Sequence, residues 1–356
     1  MDLYFLRLKN HPILAGLFLL ALILSHSYTH AEITIPKQSD WTDRGIVLEG
    51  GPAGSWDVRL SGMINPGAVV KKNGIFYFYY VGADGDRSTD GGPRHRALGV
   101  ATSTDGINFT KYANNPILKH LPNNNEEEGI FSVAAILDAN GDVVLYYGAM
   151  DAGNSTSESV DSDVRLALSS DGINFTDVGD VISHSDKSVW GKGDELFPLG
   201  AFHNQDTWFV YYTAKGSGAY WDLGLAWGPS KNNFNQFQPV LTDSSDMTDA
   251  YGGGDVVRLG PEKIALFLLL SKKNETRPTE VKTAFTNSPI TLSAPVYTYS
   301  FSDTKHSSVF LDTETNTWFM YHLDSAGETI RVRTVSVAGG VDIPPMAPTA
   351  LRILDP

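Results

Sequence analysis

Cysteine is absent from the 356 residues. That excludes disulfides, thiolate nucleophiles and thiolate metal sites together. It also fits a bacterial envelope or secreted protein better than a secreted eukaryotic one of this size. Basic residues are scarce: 27 Lys and Arg against 41 Asp and Glu give a formal net charge of −14. Nucleic acid and anionic membrane surfaces both require clustered positive charge, so neither is expected as a partner. Long apolar runs are missing too. The longest, Ile13 to Ser25, is short for a membrane span and follows Arg7 and Lys9, the layout of a secretory signal peptide. Residues 1–31 are therefore expected to be a leader cleaved after Ala31, which places the mature protein in the periplasm or outside the cell.

What is plentiful is glycine, 34 residues, and aromatic side chains, 11% of the chain. The two are arranged in a repeat. Gly67-Ala68-Val69-Val70, a Lys71-to-Gly74 turn and Ile75 to Tyr80 begin the first copy. Ala97 to Ser103 and Asp105-Gly106-Ile107-Asn108-Phe109-Thr110 complete it. A second copy runs from Val133 through the Asp138-to-Gly141 turn to Asp171-Gly172-Ile173-Asn174-Phe175-Thr176, repeating the same six residues. Further copies start near Glu195, at Asp255 and at Val309. Short strands with Gly and Asn turns at this period predict an all-β fold, a five-bladed β-propeller of four-stranded antiparallel blades. The second strand of each copy is apolar at nearly every position, as a strand buried on both faces would be. The propeller is expected over 51–340. Residues 32–50, with Ile46-Val47-Leu48, are expected to add a strand to the last blade, and 341–356 form a Pro-rich tail.

If each first strand runs away from one face, the tight turns lie on the far face. The long loops between second and third strands then return to the near one, where binding is expected. Those loops hold Asp84, Asp86, Asp90, Arg94 and His95 in the first copy, and Trp221 and Asp222 in the third. Trp221 is a candidate for stacking on a sugar ring. The strand entrances carry Asp57 and Asn65, Glu128, Asp194-Glu195, Asp255 and His306. A ring of acids from different blades can supply the two carboxyl groups, one protonated and one ionised, that cleavage of a glycosidic bond requires. Crowding pushes their pKa values apart. Asp84, Asp86 and Asp90 have spacing like a calcium loop without its distal Glu, so calcium is the single candidate ion. No cofactor is otherwise required.

These residues resemble the five-bladed propeller glycosidases, glycoside hydrolase families 43 and 32 and their relatives. Lys305-His306-Ser307-Ser308-Val309-Phe310 with Trp318-Phe319-Met320-Tyr321-His322 is similar to the family 43 blade ending in a Tyr-His pair. There the residue matching His306 sits near the axis, often beside a cation. The third copy resembles the blade bearing the general acid, which implies that role for Glu195. One departure stands out. Family 43 begins its first strand with Asp-Pro, whose Asp is the general base, whereas this chain has Asn65-Pro66. The stretch Asn65-Pro66-Gly67-Ala68-Val69-Val70 is similar to the first strand of the family 130 mannoside phosphorylases and hydrolases. In the phosphorolytic members Arg and His bind phosphate, and Arg59, Arg94, His95 and Arg96 are the residues here that would do so. Asp57 is the expected substitute base. The expected catalytic set is thus Glu195, Asp57 and Asp255, with Asn65, Glu128, His306, Arg94, His95, Trp221 and Asp222 holding substrate. The expectation is a monomeric enzyme cleaving a poly- or oligosaccharide, with a phosphorylase or a non-catalytic glycan-binding propeller as the alternatives.

Overall fold

The aromatic run Ile75 to Ala83 forms a strand whose two faces belong to different cores. Phe76, Phe78 and Tyr80 pack with Phe319 and Tyr321, while Tyr79 and Val81 pack with Leu145 and Tyr147. A strand sandwiched in this way cannot alternate apolar and polar residues, which accounts for its composition.

The computed structural model describes residues 35–58, 64–84, 95–120, 129–151, 161–186, 195–204, 206–215, 221–241, 246–248, 254–260, 263–272, 280–286, 297–302, 305–324 and 329–337. After a short 3₁₀ turn, β1 (Thr42–Glu49) leads into antiparallel meanders. The first comprises β2 (Asn65–Lys72), β3 (Ile75–Ala83) and β4 (Arg96–Ser103), edged by β5 (Thr110–Lys111) and β6 (Leu118–Lys119). The second is β7 (Gly129–Leu137), β8 (Val143–Asp151), β9 (Asp161–Ser169) and β10 (Thr176–Ile182). The third is β11 (Leu196–Asn204), β12 (Thr207–Lys215), β13 (Trp221–Gly228) and β14 (Gln236–Leu241), followed by β15 (Asp246–Thr248), which bridges β13 to the next meander. The fourth is β16 (Gly254–Arg258), β17 (Ile264–Lys272), β18 (Glu280–Thr286) and β19 (Tyr297–Ser302). The last is β20 (Lys305–Asp312), β21 (Thr317–Leu323) and β22 (Thr329–Ser336), with β1 hydrogen-bonded to β22 as its outer strand. Among the described residues no helix is long and apolar enough to cross a membrane.

The first strands of the meanders are neighbours in a closed order. β2 packs beside β7, β7 beside β11, β11 beside β16, β16 beside β20, and β20 beside β2. They surround a cavity of about 380 Å³ lined by Ala68, Ala135, Ala201, Val257, Val309 and their neighbours. Small and β-branched residues suit a wall where several strands approach one another.

Polar links tie successive meanders together. At the trailing ends of the first strands Lys71 Nζ pairs with Asp312, 2.9 Å, and Lys72 Nζ donates to the Gly141 carbonyl. His203 Nε2 donates to Leu137 O, 3.2 Å, and Arg258 Nη1 to His203 O, 3.1 Å. Further out the identical six-residue turns do the same work twice. Tyr321 OH donates to Gly106 O at 2.8 Å, and Tyr79 OH to Gly172 O at 2.9 Å. In the third meander the sequence differs but the device persists: Tyr146 OH donates to Lys231 O at 2.9 Å. Asp105 and Asp171 shape their own turns. Asp171 is held well below the usual carboxylate range by hydrogen bonds from Asn174, Ile173 and Ser169. For Asp105 burial works the other way and the same set of bonds outweighs it.

Candidate active site at the mouth of the ring

The cavity's lining runs to these trailing ends, at Lys71, His203, Arg258 and Asp312, whereas Asn65, Glu195 and His306 stand at the leading ends of the first strands. Glu195 comes directly before β11 and is buried, 7% exposed. Its backbone is fixed from the neighbouring meander. The Ser162 hydroxyl of β9 donates to Leu196 O at 3.0 Å and accepts from Leu196 N at 2.9 Å, beside a parallel bridge between Ser162 and Glu195. Phe197 packs on Phe131, 5.8 Å between ring centroids, and the Arg96 guanidinium lies 3.8 Å over Phe131. Three meanders thus meet around the strand that Glu195 opens.

Asn65 begins β2, and its side-chain oxygen is buried without a hydrogen-bond partner among the described residues. His306, second in β20, adopts the left-handed backbone region at φ 38°, uncommon for a residue with a side chain and typical of constrained functional positions. Ser307 next to it and its cross-strand neighbour His322 are both 2% exposed, and their Oγ and Nε2 atoms are also without partners among the described residues. Burial lowers the His322 pKa to about 4, so the ring is neutral. Nδ1 donates to Leu323 O, 2.9 Å, which leaves Nε2 an acceptor. Ser132 Oγ of β7 is a further buried hydroxyl without a partner among the described residues. Buried polar atoms in this state are costly, and Asn65, Ser132, Ser307 and His322 all belong to the first two strands of their meanders. Ser132, Ser307 and His322 were not candidates from sequence. A serine inside an apolar strand gives no signal until its partners are known.

Asp255 is on β16 and lines the central cavity. Its carboxyl group is inside the protein although the residue keeps some exposure to the cavity, and burial raises its pKa to about 7. Hydrogen bonds from Val256 N (2.7 Å), Val309 N (3.1 Å) and Ser308 Oγ (3.2 Å) work against that rise. They also make Asp255 the polar link between β16 and β20.

Asp57 is tied into the first meander. It is 4% exposed, and its Oδ2 accepts from Lys111 Nζ at 2.6 Å and from Tyr80 OH at 3.1 Å. Both partners are in the first meander, on β5 and β3, so the structure does not bring Asp57 together with Glu195 through any bond it makes. Asp84 accepts from His95 N at 2.9 Å, and its other oxygen lies 3.0 Å from His95 Nδ1, so these two loop residues clasp each other. Asp222 is half-buried on β13, cross-strand from Ala214. Trp221 opens β13 opposite Thr248, and its side chain lies outside the described residues, as do Glu128, Asp86, Asp90, Arg94 and Arg59. The leader read at 1–31 and the tail at 341–356 also lie outside them. Among the described residues no group of three or more His, Asp or Glu is placed to hold a metal ion.

No protein-family model and no curated protein sequence matches the chain. Solved structures do. A candidate glycoside hydrolase from Parabacteroides distasonis has a TM-score of 0.62 at 16% identity, over 86% of this chain and 98% of that one. A glycosyl hydrolase from Bacteroides ovatus has 0.54 at 15%, over 89% and 100%. The GH32 β-fructofuranosidase BmSUC1 of Bombyx mori has 0.56 at 16%, over 90% and 66%. At these identities the likeness establishes a shared fold: the chain has the all-β architecture found in glycoside hydrolase structures.

Proposed function

We propose that the protein is a glycoside hydrolase, with its five meanders as the blades of a five-bladed β-propeller and its substrate at the mouth where Glu195 stands. The closed order of first strands and the polar links between successive meanders support the architecture. The shared fold with glycoside hydrolase structures supports the chemistry. The observation that carries the reading is Glu195 itself: a buried acid at the head of an inner strand, its backbone clamped by Ser162.

In this reading Glu195 is the general acid, giving its proton to the leaving glycosidic oxygen as the C–O bond breaks. The ion pair with Lys111 argues against Asp57 as the base. Glu128, which directly precedes β7 as Glu195 directly precedes β11, is proposed as the ionised partner that takes the proton of the attacking water. Asp255 sets the charge behind them, neutral below about pH 7 and negative above it. Asn65, Ser307 and His306 hold sugar hydroxyls. The leader delivers the protein, acting as a monomer, to the periplasm or medium.

Glu128→Gln should lower glycan cleavage by about 10²-fold or more, whereas Asp57→Asn should act on stability and leave turnover per folded molecule intact. The reverse pattern would restore Asp57 as base. The amide of Asn65, where related enzymes keep a base, favours one second reading, a propeller that binds glycan without cleaving it. Calorimetric binding with no reducing sugar released over long incubation would establish that reading. Dependence of cleavage on added phosphate would identify a phosphorylase instead.

A further inference from the structure

The outer strand of the first meander is interrupted. The corresponding strands β10, β14 and β19 run for six or seven residues, but β5 and β6 are two residues each with 112–117 between them. Asn115 makes the break. Its Oδ1 accepts from Val100 N at 2.9 Å, and its Nδ2 donates to Val100 O at 2.9 Å and to Tyr80 OH at 3.3 Å. One side chain thus fills hydrogen-bonding places on β4 that a continuous strand would take with its backbone. Tyr112 N and Ile117 N hold the two flanks to Val100 O and Leu98 O, at 2.9 and 2.8 Å.

The displaced segment forms one wall of a groove of about 370 Å³, with Tyr112, Asn114, Pro116 and Ile117. The other wall is the turn before β10, with Asn174 and Phe175. Tyr112 and Phe175 are half-buried and the two asparagines exposed. Asn114 Nδ2 donates to Tyr112 OH, 3.3 Å. Among the described residues none lining the groove is charged, and the Asp171 carboxylate nearby is taken up by its own turn. An anion or cation finds no counter-charge here. Amide groups and a phenol hydroxyl, beside two rings packed on the core, match an uncharged ligand edged with hydroxyls, which is the chemistry of a neutral sugar.

We propose that this groove is a second saccharide-binding site, on the flank between the first two meanders and separate from the mouth that holds Glu195. The choice of ligand rests on the glycosidase reading. The test uses the full chain carrying Glu195→Gln, so that glycans stay intact, with neutral hexaoses of mannose, xylose, arabinose and fructose as probes. Their binding is measured by calorimetry and the retention of the matching polymers by affinity electrophoresis. Tyr112→Ser, and separately the exposed Asn114→Ala, are introduced with unfolding temperature checked. The groove predicts that both variants weaken polymer binding about 5-fold or more while turnover of a short nitrophenyl glycoside by the Glu195-containing protein is unchanged. Unaltered polymer binding in folded variants overturns the groove and leaves the catalytic reading standing. Weakened binding with no glycan cleaved by the wild-type protein keeps the groove and overturns the catalytic reading. Absence of binding to every probe overturns the groove, and the catalytic reading is then decided by glycan cleavage alone.

Discussion

Asp57 and Asp255 show how differently a buried carboxylate can be accommodated. Asp57 is neutralised by a cation: Lys111 is 2.6 Å away and is itself 31% exposed at the side chain, against 5% for Asp57. Removing the cation leaves an uncompensated charge in the core, so Lys111→Met should destabilise the fold by about 3 kcal/mol. A urea titration checks this, and a loss below about 1 kcal/mol would mean that Asp57 takes little from the pair. Asp255 has only neutral donors and burial raises it from 3.8 to about 7. A carboxyl whose pKa is higher folded than unfolded contributes stability that is complete below the unfolded value and lost as pH rises through the folded one. Wild-type stability should therefore fall between about pH 4 and pH 7 relative to Asp255→Asn, which cannot ionise. Melting temperatures at half-unit pH steps would show the two curves diverging across that window. Parallel curves would contradict the assignment.

At the scale of the element, the repeated turns were the most legible part of the sequence. Asp105-Gly106-Ile107-Asn108 and Asp171-Gly172-Ile173-Asn174 are identical because each must close an Asx turn, place a glycine at positive φ and offer its carbonyl to a tyrosine of the preceding meander. At Gly106, φ +73°, a Cβ would stand 2.7 Å from Phe319, and at Gly172, φ +81°, 2.9 Å from Tyr77. Alanine at either position should cost about 2 kcal/mol or more, read from denaturant midpoints, and a neutral substitution would mean the turn is not fixed. The aromatic second strands were legible for the same kind of reason, since burial on two faces leaves a continuous apolar run. The broken outer strand was not. Asn115 imitates a strand backbone with its side chain, and an asparagine pair ahead of proline reads simply as a turn.

At the scale of the whole molecule, the order of meanders was visible because each carries its own strand–turn–strand signature. The candidate site was legible only in part. Glu195 could be picked out because an acid directly before an inner strand is a local feature. Asp57 looked equivalent, and its ion pair with Lys111, 54 residues along the chain, is a fact of packing that spacing does not reveal. Ser132, Ser307 and His322 became candidates for the same reason in reverse, through partners they lack. The central claim is that this ring carries a working acid at Glu195. Its most direct test is the rate of reducing-sugar release from a panel of glycans by the purified wild-type protein and by Glu195→Gln. The account predicts cleavage of at least one glycan, reduced about 10²-fold or more in the variant at unchanged unfolding temperature. Equal rates in the two proteins would contradict it.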